Sequence, residues 1–176
     1  RDDYFAFVLS LDGQVDDLWK VIGRKNRNMV RKAEKNGVKI EKAKNKSDLR
    51  VFYGLYLKTM KKLGSPPQPY KFFEAIWDLF YPKNLIIPLA TCNDEHIAGS
   101  LFFLHKNTIH HSYNCSLREY PGLGQNNLMQ WYIIKWGSEN NFEHLDFGRT
   151  RENAGNVLFK KRWGGELVQM PYFYKF

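Results

Sequence analysis

Three apolar stretches in close succession, Leu85 to Thr91, Ile97 to His105 and Thr108 to Cys115, constrain this chain more than any other feature in it. Only Asn93-Asp94-Glu95-His96 and then Lys106-Asn107 separate them, and connections so short are hairpins. The three stretches must therefore be antiparallel neighbours in one sheet. None is long enough to cross a bilayer, which takes about 20 apolar residues in a helix, and Pro88, Gly99 and Ser100 interrupt them.

The flanks supply helices. Asp16 and Asp17 favour a helix start, and apolar Leu18, Val21, Ile22, Met29, Val30 and Ala33 carry one helical pattern to a stop at Gly37. Val38 and Ile40, alternating with Lys39 and Glu41, read as a short strand. Ser47 or Asp48 can cap a helix with Leu49, Phe52, Leu55, Tyr56, Met60 and Leu63 at helical spacing, closed by Gly64. Ser65-Pro66-Pro67-Gln68-Pro69 must be a loop, since three prolines lack backbone donors and hold their predecessors extended. A second helix with Phe72, Phe73, Ile76, Trp77 and Phe80 runs to Pro82. After the hairpins come a helix from Asn127 to Asn141, a strand from His144 to Phe147, a short helix from Ala154 to Arg162 opened near Asn153, and a last strand from Leu167 to Phe176. Pro171 places that last strand at an edge or a bulge. From Val38 the order is β-α-α-β-β-β-α-β-α-β, an α/β chain with a mixed sheet covered by helices. At 176 residues and 43% hydrophobic, it suits one domain with a short arm.

The charge is concentrated in one place. Lys20 to Lys46 holds 11 basic and two acidic residues and so carries the whole formal excess of +9, while the rest of the chain balances. Such a segment either attracts phosphate-rich partners, such as tRNA, nucleotide-linked precursors or an anionic membrane face, or is simply a solvated helix face. The chain begins at Arg1 with no export signal pattern behind it, so a fragment with a cytoplasmic location is expected. Cys92 and Cys115 lie in apolar runs without metal-ligand spacing and read as buried thiols.

Two places could carry chemistry. Glu119-Tyr120-Pro121-Gly122-Leu123-Gly124 precedes the long helix, and glycine turns at helix N-termini can offer backbone N–H groups to a pyrophosphate. Gly122 and Gly124 fit a cofactor turn, whereas Glu119 would repel the anion, with Arg118 one residue out of register. An ordinary strand-to-helix turn reads as well. The second place is Leu145-Asp146-Phe147-Gly148-Arg149-Thr150 with Phe159-Lys160-Lys161 behind it, a strand ending in a glycine bend where α/β sheets commonly bind ligands. A local Asp146–Arg149 ion pair with Trp163 in the core fits the same residues. His110 and His111 alternate along a strand, so they face opposite ways and are not expected to share one site; with no helical spacing or assigned carboxylate, no metal site is expected.

The stretches Asn26 to Glu41, Leu57 to Phe80, Asn84 to Ser116, Leu145 to Thr150 and Phe159 to Glu166 together resemble the C-terminal transferase domain of FemAB-like peptidoglycan aminoacyl transferases, a fold of the GCN5-related N-acetyltransferase type. The resemblance covers nearly the whole chain. It implies an aminoacyl-tRNA donor, an amine acceptor on a peptidoglycan or other envelope-polymer precursor, and no required cofactor. The inner membrane face is the place implied for that acceptor. It implies a preceding half-domain as well, with residues 1–37 as its end plus a basic helix and 38–176 as the transferase domain. By resemblance Lys160, with Phe159 beside it, lies near the reacting ester, where a fixed cation stabilises the developing oxyanion. Arg149 and Lys161, with Gly148, would position substrate. The base that takes the amine's proton is Asp146, His110, His111, a water or the substrate itself. Two other functions remain open: a coenzyme A-dependent N-acetyltransferase with acetyl-coenzyme A as donor, and a non-catalytic domain that binds RNA or an anionic surface through the basic arm.

Overall fold

The computed structural model describes residues 4–117, 119–151 and 157–169. The hairpin series forms as expected. β4 (Pro88–Cys92), β5 (Glu95–His105) and β6 (Thr108–Ser116) run antiparallel, with Leu89 opposite Gly99 and Leu101 opposite Tyr113. The stretch from Leu85 is two strands rather than one. β3 (Leu85–Ile86) ends before Pro88, which has no N–H to continue a ladder, and β4 pairs onward with β2 (Lys39–Lys42).

β7 (His144–Arg151) joins β6 in parallel, and the crossover between them is α5 (Gln125–Glu139). The stretch expected to end a preceding half-domain is physically part of this sheet: β1 (Tyr4–Ser10) lies between β7 and β8 (Glu166–Gln169) and pairs antiparallel with both. The order across the sheet is β2-β4-β5-β6-β7-β1-β8, with β3 on β5.

The single basic helix expected from Asp16 to Gly37 is two helices, α1 (Val15–Val21) and α2 (Arg24–Lys35). Ile22 is extended and buried. The N–H of Gly23 donates to the Arg162 carbonyl at 2.9 Å, and a Cβ there would stand a tight 3.1 Å from that oxygen. On the next helices, α3 (Lys46–Leu63) and α4 (Tyr70–Phe80), the cap of the first differs from expectation. Asn45, not Ser47 or Asp48, accepts from the Asp48 N–H, while the Asp48 carboxylate accepts from the N–H of Lys44.

The helices divide between the two faces. α1, α2 and α5 cover one, burying Leu18, Val30, Met129 and Ile133 against Phe7, Phe102, Ile109 and Leu145. α3 and α4 cover the other, burying Phe52, Leu55, Phe73 and Trp77 against Leu89 and Leu101. Each large side chain so buried contributes about 1.5–3 kcal/mol. α6 (Val157–Lys161) follows β7; the expected opening of that helix near Asn153 and the Pro171 end of the last strand lie outside the described residues. Trp163 is fully buried, as expected, and Cys92 and Cys115 are buried free thiols.

Candidate functional site

The parallel ladder between β6 and β7 is short. It runs from Thr108 opposite His144 to His110 opposite Asp146 and stops. Both strands carry an irregularity there: Ser112 is an extra residue against β5, and Phe147 and Gly148 together oppose Phe7 of β1. Bulges re-aim side chains and end pairing, and a cavity of about 760 Å³ opens at this point. Its lining comes from both faces of the sheet, with Phe72 and Ile76 from α4 and Asn126 and Gln130 from α5.

Gly148 is the hinge of the site. Its φ of +75° suits glycine, and a Cβ would meet the His111 carbonyl oxygen at 2.9 Å. The Gly148 N–H donates to the Asp146 carboxylate at 2.7 Å, and its carbonyl accepts from Lys160 Nζ at 2.7 Å. Lys160 is only 6% exposed, so it is not a solvated helix residue. Burial lowers its pKa, and the Asp146 charge opposes that shift.

The second oxygen of Asp146 lies 2.9 Å from His110 Nδ1. Burial alone would raise the Asp146 carboxyl, but the hydrogen bonds from His110 and the Gly148 N–H, with the nearby His110 and Lys160 charges, hold it below the ordinary carboxylate value. The Asp146 hydrogen bond raises His110 in turn, against a smaller effect of burial. His111 lies on the other face, stacked on Phe102 with ring centroids 4.4 Å apart, and is pushed down to about 4 by burial and by Lys160.

The two histidines do point to opposite faces, yet both line the cavity, because the cavity itself spans the sheet. Phe159 and an exposed Arg149 line it too; Lys161 is exposed and does not. Gly122 and Gly124 lie outside it as well. The φ of Gly124 is +87°, and a Cβ there would sit 2.4 Å from the Met29 carbonyl oxygen of α2, so the Cβ side of this glycine packs directly on that helix. Arg118 is outside the described residues.

Sequence reasoning missed Asn126 and Gln130. They sit one turn apart on α5, and two amides spaced i, i+4 in the first turns of that helix were the available signal. Among the described residues no cluster of His, Cys, Asp and Glu gathers in a form that would hold a metal.

Residues 23–161 match the family model described as an acetyltransferase (GNAT) domain, and the chain belongs to that family. It is 23% identical to the Lipid II:glycine glycyltransferase of Staphylococcus epidermidis, over 93% of this chain and 56% of that protein; the chain thus spans a little over half of that relative's length. The fold is similar to FemX (TM-score 0.84, 18% identity, 94% of this chain and 59% of that one). It is also similar to AAC(6')-Iy in complex with a coenzyme A bisubstrate analogue (TM-score 0.64, 16% identity, 78% and 97%). The FemAB-like resemblance drawn from the sequence agrees with these matches. No helix among the described residues is long and apolar enough to cross a membrane.

Proposed function

We propose that this domain transfers an aminoacyl group from an aminoacyl-tRNA to an amine of a peptidoglycan precursor, working beside a preceding half-domain at the inner face of the membrane. The observation that carries this reading is the buried Lys160 on the Gly148 carbonyl, next to a His110–Asp146 pair, in a cavity lined from both faces of the sheet. Two substrates can then approach the gap from opposite sides.

In the reaction, the acceptor nitrogen attacks the ester carbonyl carbon, the tetrahedral oxyanion collapses, and the bond to the ribose oxygen breaks. The amine's proton passes to His110 and then to the departing ribose oxygen. His110 suits this role because Asp146 orients the ring and raises its pKa from the ordinary 6.5, and a base is most effective with a pKa near the working pH. Lys160 is the fixed cation near the oxyanion, with Phe159 and Arg149 at the cavity wall. The basic arm supports the tRNA donor. Lys20, Arg24 and Arg31 are exposed, and Arg31 lies over Trp19, 5.5 Å from the ring centroid.

The similarity to a Lipid II:glycine glycyltransferase supports the acceptor. Acetyl-coenzyme A is the competing donor, and the negative charge of Glu119 at the head of the glycine turn counts against it. The test incubates the full-length protein with charged tRNA and a lipid-linked peptidoglycan precursor, and separately with acetyl-coenzyme A and the same acceptor. Mass spectrometry should find an aminoacyl increment on the acceptor in the first reaction only. An acetyl increment alone would replace this reading with the acetyltransferase one, and RNA binding without either product would leave a binding domain.

A further inference from the structure

α4 buries Phe73, Ile76 and Trp77 against the sheet, yet a second side of the same helix is apolar and faces solvent. Phe72, Ala75 and Leu79 recur at i, i+3 and i+7, which places them in one line along the helix. All three are exposed, Leu79 at 77% and Phe72 at 39%. Phe80, also 39% exposed, widens the strip toward Phe103 of β5, with ring centroids 5.1 Å apart. Among the described residues nothing covers these side chains. Single exposed apolar residues need no explanation, but a line of them rimmed by polar groups marks a contact surface. The strip also runs into the cavity, since Phe72, Ile76 and Phe103 form part of its wall.

Charge decides what covers the strip. Lys71 stands beside Phe72 at one end. At the other end Leu85 is opposite Phe103, the Leu104 N–H donates to the Asn84 carbonyl at 2.9 Å, and Asn84 Nδ2 donates to the Leu104 carbonyl at 2.8 Å. This pairing brings Lys83 and the turn at Lys106 to the Phe80–Phe103 end. Lys71, Lys83 and Lys106 are all exposed. The acidic residues of α4 do not offset them, because Glu74 and Asp78 both pair with Lys46, at 3.6 and 2.8 Å. An apolar strip with cations at both ends complements the interface of a bilayer with anionic headgroups. A nucleic acid would use the cations and leave Leu79 and Phe80 in water.

The place of the strip relative to the chemistry gives it a role. His110 is directly opposite Phe103 across β5 and β6, and Phe103 packs on the α3–α4 core, so His110 opens to the same side of the sheet as α4. An acceptor amine delivered to His110 arrives along that side. An acceptor fixed to a lipid reaches it only when that side faces the bilayer. We infer that Phe72, Leu79 and Phe80, with Lys71 and Lys83, dock the domain on an anionic bilayer and so turn the His110 side of the cavity to lipid-linked acceptors. The inference rests on the aminoacyl-transfer reading for the acceptor, and it assigns the membrane contact to α4 and not to the basic helix α2.

The test mixes the full-length protein with vesicles of phosphatidylcholine, alone or blended with phosphatidylglycerol, and measures the bound fraction by flotation. Binding should require phosphatidylglycerol. Leu79→Gln leaves every charge in place and should weaken binding about tenfold, the effect of keeping one leucine out of the apolar boundary. Lys71→Gln combined with Lys83→Gln should weaken it about 25-fold, from about fivefold for each cation near an anionic surface. With charged tRNA as donor, Leu79→Gln should lower transfer to a lipid-linked muramyl pentapeptide in those vesicles by a similar factor. Transfer to the same pentapeptide without its lipid should stay within about twofold of the unmodified protein, as for an exposed substitution away from the site. Vesicle binding unchanged in Leu79→Gln would overturn the inference, giving the strip to a protein contact if the melting temperature falls and the vesicle contact to the basic arm if it does not. Absence of vesicle binding, or equal loss of transfer to both acceptors, would overturn it too. Absence of transfer to either acceptor by the unmodified protein would instead remove the aminoacyl-transfer reading, while flotation still judges the surface on its own.

Discussion

Gly124 and Gly148 both hold the backbone at positive φ, +87° and +75°, and both looked from the sequence like places where backbone groups meet a ligand. Their surroundings differ. At Gly148 the missing side chain lets β7 turn past the His111 carbonyl and directs its own carbonyl to Lys160, on the wall of a cavity. At Gly124 the missing side chain makes room for the Met29 backbone, and the space is filled by the protein's own helix. A glycine signals that something comes close; whether that is a substrate or another part of the chain depends on tertiary packing. The first of these turns is therefore expected to govern rate and the second stability.

The largest effect should come from Lys160. Lys160→Met keeps the volume, removes the cation and leaves the Gly148 carbonyl short of a donor. Turnover should fall roughly 10²- to 10³-fold, the loss typical when an oxyanion donor is removed, against a stability cost of about 1–3 kcal/mol for the unpaired carbonyl. Steady-state kinetics beside a denaturant titration separates the two. A near-normal rate in folded protein would remove the Gly148 turn from the chemistry and collapse the contrast with Gly124.

At the same turn, the pH profile tests the His110–Asp146 pair. His110 acts as a base only when neutral, so kcat/KM should rise with pH through its folded pKa, which the Asp146 bond holds above the ordinary 6.5. Asp146→Asn removes what raises it, and the limb should move to lower pH. The same raised pKa stabilises the fold at low pH, a contribution lost as pH rises through it, so loss of stability with falling pH cannot produce this limb. A limb unmoved in Asp146→Asn would assign the proton to another group.

How far the sequence led can be read from these same residues. The hairpins, the crossover helix and the division into faces follow from apolar spacing and turn length, which are local. So does the bend at Gly148, although β7 runs on through it to Arg151 instead of ending at Phe147. That His110 and His111 share a cavity was not legible, because alternation along one strand says nothing about two neighbouring bulges opening the sheet. The break at Gly23 depends on the carbonyl of Arg162, and the filling of the Gly124 turn on Met29. Such contacts join distant parts of the chain and leave only a glycine as their trace. Asn126 and Gln130 were hidden for a related reason: an amide on a helix is ordinary until the cavity it faces is known.

Gly124→Ala tests the other side of the comparison. Its Cβ would start 2.4 Å from the Met29 oxygen at a φ that disfavours side chains, so α2 must shift. Overpacking of this kind costs about 1–3 kcal/mol. The melting temperature should drop, while kcat measured well below it stays near that of the unmodified protein. A fall in kcat with an unchanged melt would mean that the Gly124 turn contacts substrate after all.

The smallest effect should be that of Glu119→Gln, and it is informative because two explanations predict different outcomes. From the sequence, the charge of Glu119 is what should keep a pyrophosphate from the glycine turn. In the fold, the Met29 carbonyl packs against the Cβ side of Gly124 whatever residue 119 is, and α2 is thereby held close to the turn. Glu119 is exposed and lines a separate groove with Lys58, Lys61 and Lys62. Neutralising an exposed side chain should change stability by no more than about 0.5 kcal/mol, and it should not create a coenzyme A site. Calorimetric titration of the variant with coenzyme A should find no complex of micromolar affinity, a level that corresponds to about −8.2 kcal/mol. Micromolar binding gained on this one substitution would show that charge, and not helix packing, closes the turn, and it would bring Gly124 back beside Gly148 as a ligand-facing glycine.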